Sequence, residues 1–103
     1  MSIEFDSVKR DWTLKHQGVD FKDAQGVLDG LAVNSEDTRR NYGERRYITL
    51  GVLQERVVVV VWTNRIHNGQ QVRRIISMRK ANDREIEAFW IRLREDGRDI
   101  GRA

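Results

Sequence analysis

The sequence predicts an α+β domain with two N-terminal helices, a small antiparallel sheet of three to five strands, and a C-terminal helix. Three observations carry this prediction. Apolar residues recur with a helical period before residue 30 and after residue 82, and with a two-residue period or in unbroken β-branched runs between. The helical and strand segments are kept apart along the chain, as α+β domains require, and do not alternate as in a parallel α/β fold. The 103 residues contain no Pro, linker or low-complexity stretch, and 39% are hydrophobic. That is enough for one modest core, and a single domain over residues 1–103 is expected, but a large enzyme with a deep pocket is excluded.

The elements follow in order. Ile3-Glu4-Phe5 alternates apolar with polar and reads as an edge strand. Asp6 is an N-cap for a helix running to about Gln17, with Val8 and Trp12 as its expected buried stripe and Gly18 as its stop. Asp20 caps a second helix through about Asp29, with Phe21, Ala24, Val27, Leu28 and Leu31 as its apolar face and Gly30 as its end. Leu31-Ala32-Val33 begins a short strand, and the polar residues 34–45 read as a loop. Residues 47–53 alternate, with Ile48, Leu50 and Val52 on one face, before a tight turn at Gln54-Glu55. Val57 to Val61 are five consecutive valines followed by Trp62, poor material for a helix but apt for a central strand hidden on both faces. Residues 64–71 read as a loop and 72–78 as the last strand. Asn82 with Glu85 forms a capping box for the final helix, whose stripe is Ile86, Phe89, Trp90 and Leu93; beyond Arg94 the chain is polar and expected to fray.

Composition excludes several chemistries. There is no Cys, hence no disulfide scaffold, thiolate metal site or cysteine nucleophile, which suits a reducing cytosol. The two histidines, His16 and His67, cannot by themselves build a metal site, and neither a metal nor a cofactor is implied. No segment reaches 18 apolar residues, and Met1 is followed by Ser-Ile-Glu-Phe-Asp, so neither a membrane span nor a signal peptide is expected.

The net charge of +3 conceals a division along the chain. Residues 1–38 carry −4, residues 39–80 carry +8 from nine Arg and Lys80 against Glu44 and Glu55, and residues 81–103 carry −1. Arg presents a planar fork that grips phosphate with two hydrogen bonds, so an Arg-rich sheet points to a polyanion, nucleic acid above all. A solvated face paired with the acidic ends is the alternative. On a regular strand Arg73, Ser77 and Arg79 share one face with Ile75, and Arg74 shares the other with Ile76 and Met78. Lys80, Arg84 and Glu85 follow at the junction with the last helix, whose first-turn N–H groups also favour anions.

Such a cluster fits RNA cleavage in which the ribose 2′-OH attacks the adjacent phosphate. Arg and Lys would stabilise the extra charge, and a Glu, His or Tyr would transfer protons. The candidates are Arg79 and Arg74 for phosphate, Lys80 in support, and Glu85 for proton transfer or simply as the capping-box residue. Tyr42 is a candidate for base stacking and Arg46 for positioning, while Arg73 and Ser77 lie on the same strand as potential RNA contacts. Tyr42 as a turn aromatic and Glu44 as a plain ion-pair partner are the alternatives. His16 reads as a surface histidine, His67 is assigned no role, Trp12, Phe89, Trp90 and Met78 read as core, and residues 37–40 as loop.

Four signatures in order give the chain a resemblance to a known family: Phe5-Asp6-x-x-Lys9 with Gly18-Val19-Asp20-Phe21; Glu36-Asp37-x-Arg39-x-x-Tyr42-Gly43-Glu44; Val61-Trp62-Thr63 ending the valine strand; and Arg74-Ile75-Ile76-Ser77-Met78-Arg79-Lys80-Ala81 with Glu85. Over roughly residues 4–90 the chain resembles the BrnT toxins of bacterial type II toxin–antitoxin modules, relatives of the RelE-type ribonucleases. His16 is out of register with the family's histidine. The resemblance implies a RelE-like fold, with helices on one side of a small sheet and substrate on the other. It implies metal-independent endoribonuclease activity that inhibits translation in the bacterial cytoplasm, with the ribosome as a further candidate contact. It also implies a BrnA-like ribbon-helix-helix antitoxin through which alone operator DNA would be bound, two toxins being held by an antitoxin dimer. A non-catalytic module gripping nucleic acid or a protein partner is the other class of function, and a toxin decayed to a regulator a third.

Overall fold

The computed structural model describes residues 2–96. The order is β1 (Ser2–Phe5), α1 (Ser7–Gln17), a 3-10 turn (Phe21–Asp23), α2 (Ala24–Asp29), β2 (Ala32–Glu36), β3 (Arg46–Leu53), β4 (Arg56–His67), β5 (Gln70–Lys80) and α3 (Asp83–Asp96). The five strands form one sheet in the order β1-β5-β4-β3-β2, with the valine strand β4 at its centre. The expected antiparallel meander spans β2 to β5, but β1 lies parallel to β5, so the sheet is mixed.

Local chemistry sets the boundaries. The Asp6 carboxylate accepts from the Val8 and Lys9 amides at 2.8 and 3.2 Å, and Gly18 closes α1 at φ +69°, a left-handed conformation that costs glycine little. The Asp20 carboxylate accepts from the Lys22 amide, but the segment it caps starts as a 3-10 turn, so α2 is shorter than the expected helix. Asn82 and Glu85 exchange two side-chain-to-backbone bonds of 2.9 Å, the expected capping box of α3. The fraying expected beyond Arg94 falls in its last part on residues 97–103, which lie outside the described residues; α3 itself continues to Asp96.

Three strands are longer than their polarity suggests. β2 continues through Asn34 and Ser35 to Glu36, and β4 and β5 continue to meet at Asn68-Gly69. Asn68 and Gly69 have φ of +53° and +77°, the two left-handed residues of a tight hairpin turn, which Asn-Gly favours. The predicted loop at 64–71 is thus mostly strand.

The core lies on both faces of the sheet. On the near face, Val58, Val60, Ile75 and Met78 pack with Val19, Phe21, Ala24, Val27 and Leu28 of the α1–α2 region. On the far face, Val57 packs with Phe89 and Leu93 of α3, with Val33, Leu50 and Val52 alongside. The expectation of helices on one side only is therefore corrected: α3 covers the β2–β3 end of the far face and leaves the β5 end open. Four apolar assignments also change. Val8 and Trp12 are exposed, because α1 turns the small Thr13 inward while Phe5 and Phe21 fill the space beneath. Leu31 and Trp90 are likewise largely exposed.

Candidate functional site

A one-residue irregularity in β5 decides which side chains meet. Val61 pairs with Ser77 but Trp62 pairs with Ile75, so Ile76 is an extra residue, a β-bulge. Opposed residues of an antiparallel pair share a face, so the partners of Val59, Val61 and Thr63 lie on the far face. Those partners are Arg79, Ser77 and Arg74. Regular alternation had placed Arg74 opposite to Arg79, and the bulge reverses this. The same bulge sends Arg73, paired with Asn64, and Lys80, paired with Val58, to the near face. There Arg73 donates to Asp29 at 2.8 Å and lies 5.4 Å above the Trp62 ring, tying β5 to α2. Lys80 lines a near-face cavity of about 290 Å³ with Gly18, Val19 and Leu53. Arg73 and Lys80 are therefore not brought together with the other candidates.

On the far face each guanidinium is oriented by a carboxylate. Arg79 donates through both Nη atoms to the two Glu85 oxygens at 2.8 Å, and Glu85 Oε1 also accepts from the Asn82 amide. The Arg79 hydrogen bonds hold the Glu85 carboxyl below its ordinary range, against a smaller opposing effect of burial. Glu85 is thus the capping-box residue and the brace of Arg79 at once. At the other end of β5, Arg74 Nη1 reaches Glu4 at 3.4 Å, and His67 Nε2 lies 2.8 Å from the other Glu4 oxygen. That histidine contact, with Arg74 and Arg65 nearby, lowers the Glu4 pKa. Between these ends, Glu44 accepts from Arg46 at 3.3 Å and from Arg65 at 3.2 Å. Arg74 and Arg79 pair with β4 residues four apart, about 13 Å along the strand, too far apart to grip one phosphate between them.

Residues 37–45 form an ordered arm over this face. The Asp37 side chain is only 1% exposed. It accepts from Arg39 Nε and Nη2 at 2.8 Å, from the Arg39 amide at 3.2 Å, and from the Tyr42 hydroxyl at 3.0 Å. The Arg39 bonds hold its carboxyl far below the usual range. Thr63 Oγ1 donates to the Arg45 carbonyl at 2.6 Å and pins the arm to β4. Arg46 lies 4.2 Å above the Tyr42 ring, so one face of that ring is already occupied and only the other is open to a base. Arg39 is exposed, and its charge lies close enough to Arg79 to oppose it.

The structure therefore joins Arg74, Ser77, Arg79, Glu85, Arg46 and Tyr42 in one surface, and adds Arg39, Arg65, Asp37, Glu4 and His67. It holds no pocket of uncompensated guanidiniums: Arg39, Arg46, Arg65, Arg74 and Arg79 each contact a carboxylate. The Arg46, Arg65, Arg74 and Arg79 pairs are partly exposed and are worth about 0–1 kcal/mol each, so an incoming anion can share or displace them at little cost, whereas the Asp37 carboxylate is buried. The additions had partial sequence signals. Asp37-x-Arg39 is a short side-chain-to-backbone turn, and the Asn68-Gly69 turn signal places His67 on a strand. Among the described residues no group of three or more His, Asp or Glu converges as a metal site would need.

A family model described as the ribonuclease toxin BrnT of type II toxin–antitoxin systems matches residues 5–85, which include the whole arm, β4, β5 and Glu85. No individual curated protein gave a significant match. The chain belongs to the BrnT family of ribonuclease toxins.

Proposed function

We propose that this BrnT-family chain is a metal-independent endoribonuclease whose substrate lies across the far face of the sheet, between Arg79 and Arg74. One observation carries the reading: the bulge at Ile76 gathers Arg74, Ser77 and Arg79 on one face with Arg46, Arg65 and the 37–45 arm. RNA cleavage by the neighbouring 2′-OH needs charge stabilisation on the phosphate and proton transfers to and from oxygen. Arg79, braced by Glu85 and adjacent to Arg39, supplies the first. Glu85, held ionised by Arg79, is a poor base and acts as a positioning residue. His67, braced by Glu4 beside Arg74, is the candidate proton-transfer side chain on this face. Arg46 and the open face of Tyr42 position the flanking nucleotide.

The whole chain acts as one toxin domain. In the cell it cuts RNA in the cytoplasm and inhibits translation, with the ribosome as a candidate contact. A BrnA-like ribbon-helix-helix antitoxin neutralises it, carries any operator binding, and holds two toxins per antitoxin dimer. Its membership of a type II toxin–antitoxin family supports the antitoxin as partner.

The test is direct. Purified protein should cut RNA in the presence of chelator, and expression without antitoxin should arrest growth. Arg79→Ala should lower the cleavage rate by about 10²–10³-fold with the fold intact by circular dichroism. Loss of cutting on chelation would remove the metal-independent chemistry. A specific observation favours a second reading: Arg39, Arg46, Arg65, Arg74 and Arg79 are each already paired with a carboxylate, as suits a module that binds without chemistry. Undisturbed growth at high expression, with no cutting of free or ribosomal RNA, would select it.

A further inference from the structure

α1 departs from ordinary amphipathic packing. Val8 is 75% and Trp12 55% exposed, and both lie on one helical stripe with Lys15. β1 pairs only with Val72–Ile75, so beyond Ile75 the outer side of β5 meets α1 and not another strand. Between α1 and β5 runs a groove of about 420 Å³ lined by Val8, Lys9, Trp12, Thr13, Met78 and Arg79. Its floor is mainly apolar. Its rim is cationic: Lys9 donates to the Ile76 carbonyl, and neither Lys9 nor Lys15 has a carboxylate partner among the described residues. An exposed tryptophan beside an apolar recess ringed by cations is an unfilled interface.

We infer that this groove seats the antitoxin, through an acidic segment that lays an apolar side chain against Trp12, Val8 and Met78. Its carboxylates meet Lys9, Lys15 and Arg79. The charge pattern and the family's toxin–antitoxin pairing name this occupant. RNA is the poorer fit, because the groove's floor is mainly apolar and Arg46, Arg65 and Arg74 do not line it. A carboxylate that draws Arg79 from Glu85 blocks phosphate at the end of β5 without covering the far face. This inhibitory consequence rests on the proposed function, whereas the docking itself does not.

The experiment uses the full chain and the antitoxin encoded with it. Val8→Ala and Trp12→Ala should each raise the antitoxin Kd, Trp12→Ala at least tenfold, while leaving RNA cleavage by the free toxin unchanged. Ile91→Glu, on the exposed side of α3, should leave the Kd unchanged. Hydrogen exchange on the unsubstituted complex should show new protection in Val8–Gln17 and in the Ile76–Arg79 stretch, which reads the docking even if a variant folds poorly. Unchanged Kd for both groove variants, or protection confined to α3, would overturn the inference. Loss of RNA affinity with antitoxin affinity intact would assign the groove to nucleic acid and overturn it equally. If the chain cuts no RNA but Trp12→Ala still weakens the complex, the docking stands and the ribonuclease reading falls.

Discussion

At the scale of single residues, carboxylates on this protein serve to aim arginines. Arg10 is held by Asp20 through Nε and Nη2, both at 2.8 Å, and links α1 to the turn before α2. This pair sets a pH dependence. The Arg10 hydrogen bonds hold the Asp20 carboxyl at about 2, against about 4 for an unperturbed Asp. A carboxyl lowered in the folded state stabilises the protein above its unfolded value, and that stabilisation is lost as the pH falls from about 4 to about 2. The two side chains are 21% and 20% exposed, so after solvent screening the contribution is on the order of 1 kcal/mol. Asp20→Asn should therefore unfold earlier in urea at neutral pH and match the parent protein near pH 2. An equal deficit at both pH values would show that charge is not the cause. Glu85 was legible as a cap from its spacing to Asn82, but its grip on Arg79 was not, since no local pattern reports a bond across a strand–helix junction.

At the scale of elements, parity governs the site. Ile75 and Ile76 are both apolar, so the pattern of β5 carries no break where the extra residue sits; that is why Arg74 and Arg79 were assigned to opposite faces. Deleting Ile76 removes only the extra residue and leaves Ser77 opposite Val61, Ile75 opposite Trp62 and Arg74 opposite Thr63, so Ile75 stays in the near-face core and Arg74 on the far face. The variant should therefore stay folded by denaturant unfolding and retain most of its RNA affinity. A variant that loses both would refute the register argument. The antiparallel meander, the Gln54-Glu55 turn, the α3 cap and the central valine strand were all legible because each has a local cause, whereas the parallel pairing of β1 with β5 has none. The burial of α1 was not, because which stripe faces the sheet depends on what already fills the core. Gly51 is a further element-scale case. A Cβ there would meet Val27 Cγ1 at 2.6 Å and the Val27 carbonyl at 3.2 Å, so glycine sets how closely α2 approaches β3. Gly51→Ala should cost about 1–3 kcal/mol by overpacking, as read from denaturant unfolding.

At the scale of the whole molecule, a net charge of +3 is a modest field, and the far face is close to balanced by its own carboxylates. Affinity for RNA should then come from a few local phosphate contacts. With about four such contacts, the logarithm of the binding constant should fall against the logarithm of salt with a slope of about −3. A slope near zero would mean that phosphates do not bind here, and a much steeper one would point to additional cations outside this face. The two hairpin turns of the meander carry a different consequence. Asn68-Gly69 adopts its left-handed pair at little cost, whereas Gln54 and Glu55 are held at φ +50° and +66° without a glycine between them. The chain's order of assembly follows from that asymmetry: β4 and β5 zip together early around a turn already favoured in the unfolded ensemble, and β3 joins late against local strain. The toxin would then gain its cleft-spanning arm, which β3 carries, only in the closing step of its folding.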